Sequence, residues 1–152
     1  EGYKLAEVKG KASSAFASNW ENKIIELGKN TFGWKSLKLN FGKKQVTMTV
    51  TETNGKSYEL PFGYQQWITT TFDSYPPYSI TPIDRFKGLE GPYYASGSYA
   101  WISKEELQLK AHYVNWVSAL EITFHLEENG EVKLNVQTNY IKKPYTITGV
   151  IK

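Results

Sequence analysis

Few side chains of this sequence have the chemistry of a catalytic or metal-binding group. His112 and His125 are the only histidines, and the absence of cysteine excludes disulfides, thiolate metal sites and cysteine nucleophiles. Both histidines alternate with apolar residues, which predicts a solvent-facing position on strands. A register that sets Leu107 against Leu126 places His112 opposite Glu121, as an exposed cross-strand pair. A metal site would need a third ligand on that face, so we predict no metal site and no cofactor.

The carboxylates do not indicate catalysis either. Asp84 and Arg85 are adjacent in sequence, so they are not a facing acid pair. Asp73 and Asp84 could line a pocket, although aspartates in loops more often serve as turn residues. The sequence contains no Gly-x-Ser-x-Gly elbow, phosphate loop, dinucleotide fingerprint or zinc-ligand spacing. We therefore predict that the chain is not an enzyme and has no catalytic residues.

The length and the net charge of the chain indicate which classes of partner it could bind. A chain of 152 residues corresponds to one domain of ordinary size. Its net charge of +3 comes with no basic cluster, because the lysine pairs at 43–44 and 142–143 stand alone near predicted strand ends. Such lysines are typical of solvated strand edges, so we predict no nucleic-acid partner. No apolar run reaches 18 residues, which argues against a membrane-spanning helix.

The elements that position these side chains are strands. From Ala95 to Asn139 apolar residues recur at every second position, with polar residues between them. This period of two predicts strands with one buried face, joined by short turns into an antiparallel meander. The inward positions predicted in the three clearest runs are Leu107, Leu109, Ala111, Tyr113, Leu120, Ile122, Phe124, Leu126, Val132, Leu134 and Val136.

Parity also predicts the hairpin loops. A two-residue Asn54-Gly55 loop would pair apolar with polar residues, whereas a three-residue loop over 53–55 pairs Val50 with Tyr58. A loop over 128–130 likewise pairs Leu126 with Val132. Each loop then needs its glycine in the left-handed conformation, as in a type I turn followed by a bulge.

These strands predict an all-β protein with an antiparallel, up-and-down, lipocalin-like barrel, because eight to ten strands follow one another with short turns. A two-sheet β-sandwich is the alternative. Residues 1–19 have weak helical spacing and predict a short helix or a linker. The predicted single barrel domain then covers residues 20–152.

The segment from Gly63 to Tyr94 interrupts the regular pattern, since it is rich in prolines and aromatic residues. Trp67 to Phe72 is a possible strand, and Ser74 to Gly91 reads as a long irregular loop of a kind that is often functional. Its aromatics could close the barrel mouth, bind a sugar or an apolar ligand, or dock onto another domain. The predicted ligand- or domain-contact residues are Trp67, Phe72, Tyr75, Tyr78, Asp84, Arg85, Phe86 and Trp116.

Three stretches resemble a known accessory domain. They are Asn30–Phe41 (NTFGWKSLKLNF), the hairpin TETNGKSYELPFG, and Ala95–Asn139 with its Trp101 strand, acidic turn and two alternating strands. Together they resemble the C-terminal lipocalin-like β domain of bacterial serine hydrolases of the penicillin-binding-protein and class C β-lactamase family. The resemblance implies a non-catalytic domain that packs on an upstream catalytic domain of the same polypeptide, shapes access to its site, and works extracytoplasmically, in the periplasm or at the cell surface.

The family's catalytic motifs are absent from this chain. No serine is followed three residues later by lysine, and there is no Lys-Thr-Gly. Tyr113-Val114-Asn115 matches the Tyr-x-Asn motif in letters only, because Tyr113 is a predicted inward strand residue. The alternative function is a stand-alone lipocalin-like or carbohydrate-binding module for a small apolar or sugar ligand. That alternative predicts an open cavity lined by Trp67, Tyr58 or Trp116, whereas an accessory domain predicts an exposed apolar patch.

Overall fold

The computed structural model describes residues 8–72, 93–113, 118–127, 129–138 and 143–152. In these ranges one short helix and ten strands follow each other in the order expected for a meander. Their bounds are α1 Ala17–Trp20, β1 Ile24–Leu27, β2 Trp34–Phe41, β3 Gln45–Glu52, β4 Ser57–Tyr64, β5 Ile68–Phe72, β6 Tyr93–Trp101, β7 Glu106–Tyr113, β8 Ser118–Leu126, β9 Glu131–Thr138 and β10 Tyr145–Ile151.

The strands close into a barrel, which confirms the predicted fold class over the sandwich alternative. The sheet runs in the order β4-β3-β2-β1-β10-β9-β8-β7-β6-β5, with each neighbouring pair antiparallel. A short parallel pairing of β4 with β6, at Gly63 and Tyr64 against Ser98 and Tyr99, closes it. Nine strands thus form the wall, while β5 continues the sheet beyond β6.

The alternation of the sequence determines which side chains fill the barrel. Leu107, Leu109 and Ala111 of β7 are buried, as are their partners on β8 and β9. Both three-residue hairpins are confirmed, since Val50 pairs with Tyr58 and Leu126 pairs with Val132. Gly55 and Gly130 each have a φ of 88°, the positive value that the bulged turn requires.

The predicted pairing of His112 with Glu121 is wrong. Leu107 lies opposite Phe124 rather than Leu126, so the register of β7 against β8 differs from the prediction by two residues. His112 therefore lies opposite Ala119, and Glu121 lies opposite Lys110, whose Nζ is 3.8 Å from its carboxylate. A shift of two residues leaves every side chain on its predicted face, so both histidines still face outward.

Residues 8–20 pack against the barrel. Lys11 forms an antiparallel bridge with Trp101, in which each backbone N–H donates to the other's carbonyl at 2.8–2.9 Å. Val8, Phe16 and Trp20 are buried. The described residues contain no helix long and apolar enough to cross a membrane. The division into residues 1–19 and a barrel domain from residue 20 stays a prediction.

Candidate functional site

The barrel has two unlike ends. One end, which we call the helix end, carries the turns at 42–44, 102–105 and 127–130 together with α1. At the opposite end, the loop end, β3 passes into β4 and β1 passes into β2. Phe72 of β5 and Tyr93 of β6 pair with each other there.

The helix end is filled by large side chains of the barrel and sealed by α1. Trp20 is 1% exposed, and Phe62, Leu107 and Phe124 are buried as completely. The Tyr99 and Tyr64 hydroxyls donate to the carbonyls of Ala12 and Gly10, each at 2.9 Å, and so hold the N-terminal segment on the wall. Burial, and then the neighbouring Tyr64, raise the pKa of Tyr99.

Asn30 organises the connection between β1 and β2 at the loop end. Its side-chain oxygen accepts hydrogen bonds from the backbone N–H groups of Phe32 and Trp34, each at 3.1 Å. Its amide nitrogen donates to the carbonyls of Gly28 and Trp34 at 2.9 and 2.7 Å. One side chain thereby replaces the backbone partners that a strand would supply, and it fixes the position of Phe32.

An irregularity in β2 turns Trp34 into the interior. Trp34 pairs with Glu52 but Ser36 already pairs with Thr51, so β2 has an extra residue at this point. Without such a β-bulge, a residue three positions before the inward Leu37 would face solvent. The Trp34 ring stacks on Phe32 at 4.9 Å, and Phe32 meets the edge of Tyr145 at 5.5 Å. Since β1 ends at Leu27, these aromatics continue the wall between β2 and β10.

Two small residues, Ala95 and Ala111, lie at inward positions on the opposite wall, next to the larger Leu120 of β8. In the closed order of nine strands, β7 lies across the barrel from β2. Its inward residue near the loop end is Ala111, and β6 contributes Ala95 at the same end. The inward positions of these strands near the helix end are Leu107 and Trp101. The inner face is therefore bulky at one end and lined by small side chains on part of the other.

Trp34 and Thr138 each place a polar atom in the interior at the loop end. Trp34 is 2% exposed and Thr138, at the end of β9, is 3% exposed. Neither the Trp34 Nε1–H nor the Thr138 hydroxyl has a hydrogen-bond partner among the residues that the structure describes. Native proteins satisfy most buried polar groups, so an exception indicates strain, an ordered water or a ligand. The indole can only donate, whereas the hydroxyl can donate and accept.

The seam that closes the barrel is short. β4 and β5 are the two edges of the sheet, and β4 is paired with β6 only at its final residues. β5 pairs with the loop-end half of β6 instead, and the Pro61 carbonyl of β4 lies against Gly97 of β6. Gln65, with a φ of 55°, makes the turn between β4 and β5.

The structure places the predicted contact residues unevenly. Trp67 is half-buried and lies in the turn directly before β5. Phe72 is the last residue of β5, where its backbone pairs with Tyr93. The other predicted contact residues, which lie outside the described residues, are Tyr75, Tyr78, Asp84, Arg85, Phe86 and Trp116.

Sequence reasoning missed Phe32, Trp34 and Thr138 as lining residues. The spacing Asn30, Phe32, Trp34 carried a signal, because an asparagine that caps a turn orders the aromatics after it. Thr138 continues the inward alternation of Val132, Leu134 and Val136 by one step. The alternation of the sequence therefore predicts a polar residue at this inward position.

The described titratable side chains do not form a cluster that could hold a metal ion. Within the described ranges, no three His, Cys, Asp or Glu side chains come together as a metal site would require. His112 is on the outer face, where partial burial lowers its pKa. His125 lies 3.8 Å from Glu106 on the exposed surface.

The described strands form a closed up-and-down β-barrel. Its helix end is covered by α1, and its loop end carries the stacked rings of Phe32 and Trp34. No protein-family model matches the sequence. No curated protein matches it either.

Solved structures share this fold at low sequence identity. Fatty-acid-binding protein 1 of Echinococcus granulosus superimposes with a TM-score of 0.57 at 12% identity, over 88% of this chain and 98% of that one. The Schistosoma mansoni fatty acid binding protein, solved in complex with arachidonic acid, gives a TM-score of 0.53 at 12% identity, over 90% and 96% of the two chains.

These neighbours overturn the predicted kinship with penicillin-binding proteins and β-lactamases. The prediction of an accessory domain of a serine hydrolase is wrong, because the fold matches whole fatty-acid-binding barrels over almost their entire length. The upstream catalytic partner that the resemblance implied loses its support in the same way. The stretches that carried the resemblance are core and turn patterns, which unrelated barrels share.

Proposed function

We propose that the chain is a non-catalytic binding module for a small apolar ligand, which it holds at the loop end of the barrel. The observation that carries this proposal is the closed barrel itself, which superimposes on two fatty-acid-binding proteins over almost their entire length. A ligand there would contact apolar walls and meet a few fixed polar groups, as small-molecule sites generally do. The structural neighbours support the proposal, since both are named as fatty-acid-binding proteins.

The helix end is not the proposed site. Phe16 and Trp20 of the N-terminal segment cover this end of the barrel, and both are buried. The proposed ligand therefore enters from the loop end.

A probe titration tests the proposal. The neutral dye N-phenyl-1-naphthylamine should become fluorescent on binding with a stoichiometry of about one, and lauric acid or 1-dodecanol should displace it. Ala111→Leu should reduce dye affinity about ten-fold or more, because three added carbons occupy the proposed space. Thr49→Leu, a similar enlargement on the outer face of β3, is the matched control. Absence of dye binding, or equal effects of the two variants, would refute the proposal.

The sugar-binding alternative has less support. Sugar platforms use exposed aromatic rings, and Tyr145 is the one large aromatic that is exposed in the described part of the chain. The docking alternative has little support too, since the exposed large apolar side chains of the described ranges are few: Ile24 and Val150 on the adjacent strands β1 and β10, and Ile102 and Tyr145 at opposite ends of the barrel. Isolated apolar residues of this kind are normal on protein surfaces.

An extracytoplasmic location remains part of the proposal. Cell fractionation of a tagged full-length protein, with markers for each compartment, tests it directly. Recovery in the cytosolic fraction alone would contradict it.

A further inference from the structure

We infer that Asn54 is a site of spontaneous deamidation, and that it reacts faster than Asn129 in the folded protein. Both asparagines directly precede a glycine in a three-residue hairpin loop. The hairpin over 53–55 belongs to the loop end of the barrel, and the hairpin over 128–130 belongs to the helix end. The inference concerns the hairpins alone and is independent of the proposed function.

The reaction needs no reactant other than water. The backbone nitrogen of the glycine loses its proton to the solvent and attacks the side-chain Cγ of the asparagine. The side-chain nitrogen takes a proton from water and leaves as ammonia, and a five-membered succinimide remains. Water then adds to one of the two imide carbonyls and opens the ring to aspartate or isoaspartate. A glycine favours the attack because it has no Cβ to obstruct a close approach.

Both asparagine side chains are held over the backbone that must react. The Asn54 Oδ1 accepts a hydrogen bond from the Lys56 N–H at 2.9 Å, and the Asn129 Oδ1 accepts one from the Glu131 N–H at 3.0 Å. Such an Asx turn spans the intervening glycine and polarises the side-chain carbonyl. Both asparagines are exposed, so water reaches them equally. These shared features favour the reaction at both sites and do not separate them.

The two glycines differ in how firmly they are held. Gly55 is exposed, and a Cβ added to it would meet no atom of the described residues within 4 Å. Gly130 is half-buried, and a Cβ added to it would lie 3.9 Å from the Ile151 Cβ. The Gly130 carbonyl also accepts a hydrogen bond from the Ile151 N–H at 2.9 Å. Strand β10 therefore holds the second hairpin but not the first.

Ring closure moves the glycine and not the residue before the asparagine. The attack requires rotation about the Asn54 Cα–C bond, which displaces Gly55. The Thr53 N–H donates to the Gly33 carbonyl at 2.9 Å, but this hydrogen bond precedes the rotating bond and can stay intact. The freedom of the glycine therefore limits the rate, as local opening limits other reactions of folded proteins.

One more hydrogen bond must open at Gly130 than at Gly55. The N–H of each glycine donates to a carbonyl of its own hairpin, at 3.0 Å for Gly55 and 3.3 Å for Gly130, and both bonds open before the attack. The bond from the Ile151 N–H must open in addition. The net contribution of one such bond corresponds to a rate about two- to ten-fold lower, which outweighs the longer N–H bond of Gly130.

Peptide mapping by mass spectrometry tests the inference. The protein is incubated at mildly alkaline pH, once folded and once in a denaturing concentration of urea, and aspartate and isoaspartate are quantified at both positions. We expect them to form about two- to ten-fold faster at position 54 than at position 129 in the folded protein. In urea the ratio should fall to about one, because unfolding releases both glycines.

Two variants identify the cause. Asn54→Gln should suppress the reaction at position 54, because the longer side chain would have to close a six-membered ring. Ile151→Pro removes the N–H that the Gly130 carbonyl accepts and leaves the bond from the Lys152 N–H to the Ile24 carbonyl in place. It should raise the rate at Asn129 to about that at Asn54 in a protein whose circular dichroism is unchanged.

Three results would overturn the inference. Equal rates in the folded parent protein, or a faster reaction at Asn129, would show that the hydrogen bond from Ile151 does not protect the second hairpin. A ratio that persists in urea would show that the neighbouring sequence, and not the fold, sets the rates. An unchanged rate at Asn129 in folded Ile151→Pro would contradict the proposed cause.

Discussion

Different elements close the two ends of this barrel. At the helix end, Phe16 and Trp20 come from a separate segment and complete a packed aromatic and aliphatic core. At the loop end, the wall between β2 and β10 is completed by Phe32, held by a single asparagine, and small side chains line the facing wall. One end is covered by the N-terminal segment, and at the other end two buried polar atoms have no hydrogen-bond partner among the described residues.

Buried polar atoms alone do not distinguish the ends. The Trp101 Nε1 at the helix end also lacks a partner among the described residues, and leaving such a group unsatisfied costs about 1–3 kcal/mol wherever it occurs. Its ring packs near Phe41, with 5.8 Å between the ring centroids, much as the Trp34 ring packs on Phe32 at 4.9 Å. The loop end differs because its unpartnered indole is accompanied by a buried hydroxyl and by the small side chains of Ala95 and Ala111.

The largest expected effect is at the sealed end. Trp20→Ala should lower the free energy of unfolding by about 3–5 kcal/mol, because it leaves a cavity that the packed neighbours cannot close. Urea denaturation followed by circular dichroism measures it. Ile102→Ala, at an exposed position of the same end, should stay within about 0.5 kcal/mol of the parent protein. A small effect of Trp20→Ala would show that α1 is only loosely attached.

The loop end should depend on Asn30. Asn30→Ala removes three hydrogen bonds that hold Phe32 and Trp34 and a fourth to the Gly28 carbonyl, and it should cost about 2 kcal/mol of stability and weaken dye binding. Asn54→Ala, which removes one exposed hydrogen bond to the Lys56 N–H in a hairpin, is the control and should cost less than about 1 kcal/mol. Equal losses from both variants would contradict the special role of Asn30.

Larger side chains at buried positions test how much free space each end of the barrel contains. Val132→Phe at the helix end should cost about 1–3 kcal/mol, because a filled core accepts larger side chains only with strain. Ala111→Leu should cost less than about 1 kcal/mol if the loop end has room for a ligand. Thermal unfolding of both variants without ligand gives the comparison. A larger loss for Ala111→Leu would reverse the assignment of the two ends.

The sequence predicted what period-two alternation determines and little beyond it. Parity established the inward faces, the barrel and both three-residue hairpins, because a slip by one residue would expose the core. It could not distinguish the observed register of β7 against β8 from one shifted by two residues, since both bury Leu107 and Leu109. The error in the partner of His112 follows from that ambiguity.

The candidate site was harder to predict because its main side chain depends on an irregularity. Trp34 points inward through a β-bulge, and a bulge breaks the alternation from which inward positions are inferred. The resemblance to hydrolase accessory domains failed for a related reason. Repeated patterns of core and turn are required by any small barrel, so they carry the fold and do not identify the family.

The smallest expected effect compares the two histidines, which lie on the outer face at opposite ends of the barrel. Partial burial lowers the pKa of His112 from its ordinary value of 6.5. The folded protein thus binds the proton less readily than the unfolded chain does. The stabilisation that the neutral His112 side chain provides is present above pH 6.5 and is lost as the pH falls through the pKa of His112 in the folded state. His112→Gln should make the free energy of unfolding less dependent on pH between about 7 and 5. The change in unfolding free energy should be smaller than the loss expected for Asn30→Ala, since the His112 side chain is half-exposed. The same replacement at the exposed His125 is the control. Equal changes of slope in both variants would mean that the environment of the loop end does not cause the effect.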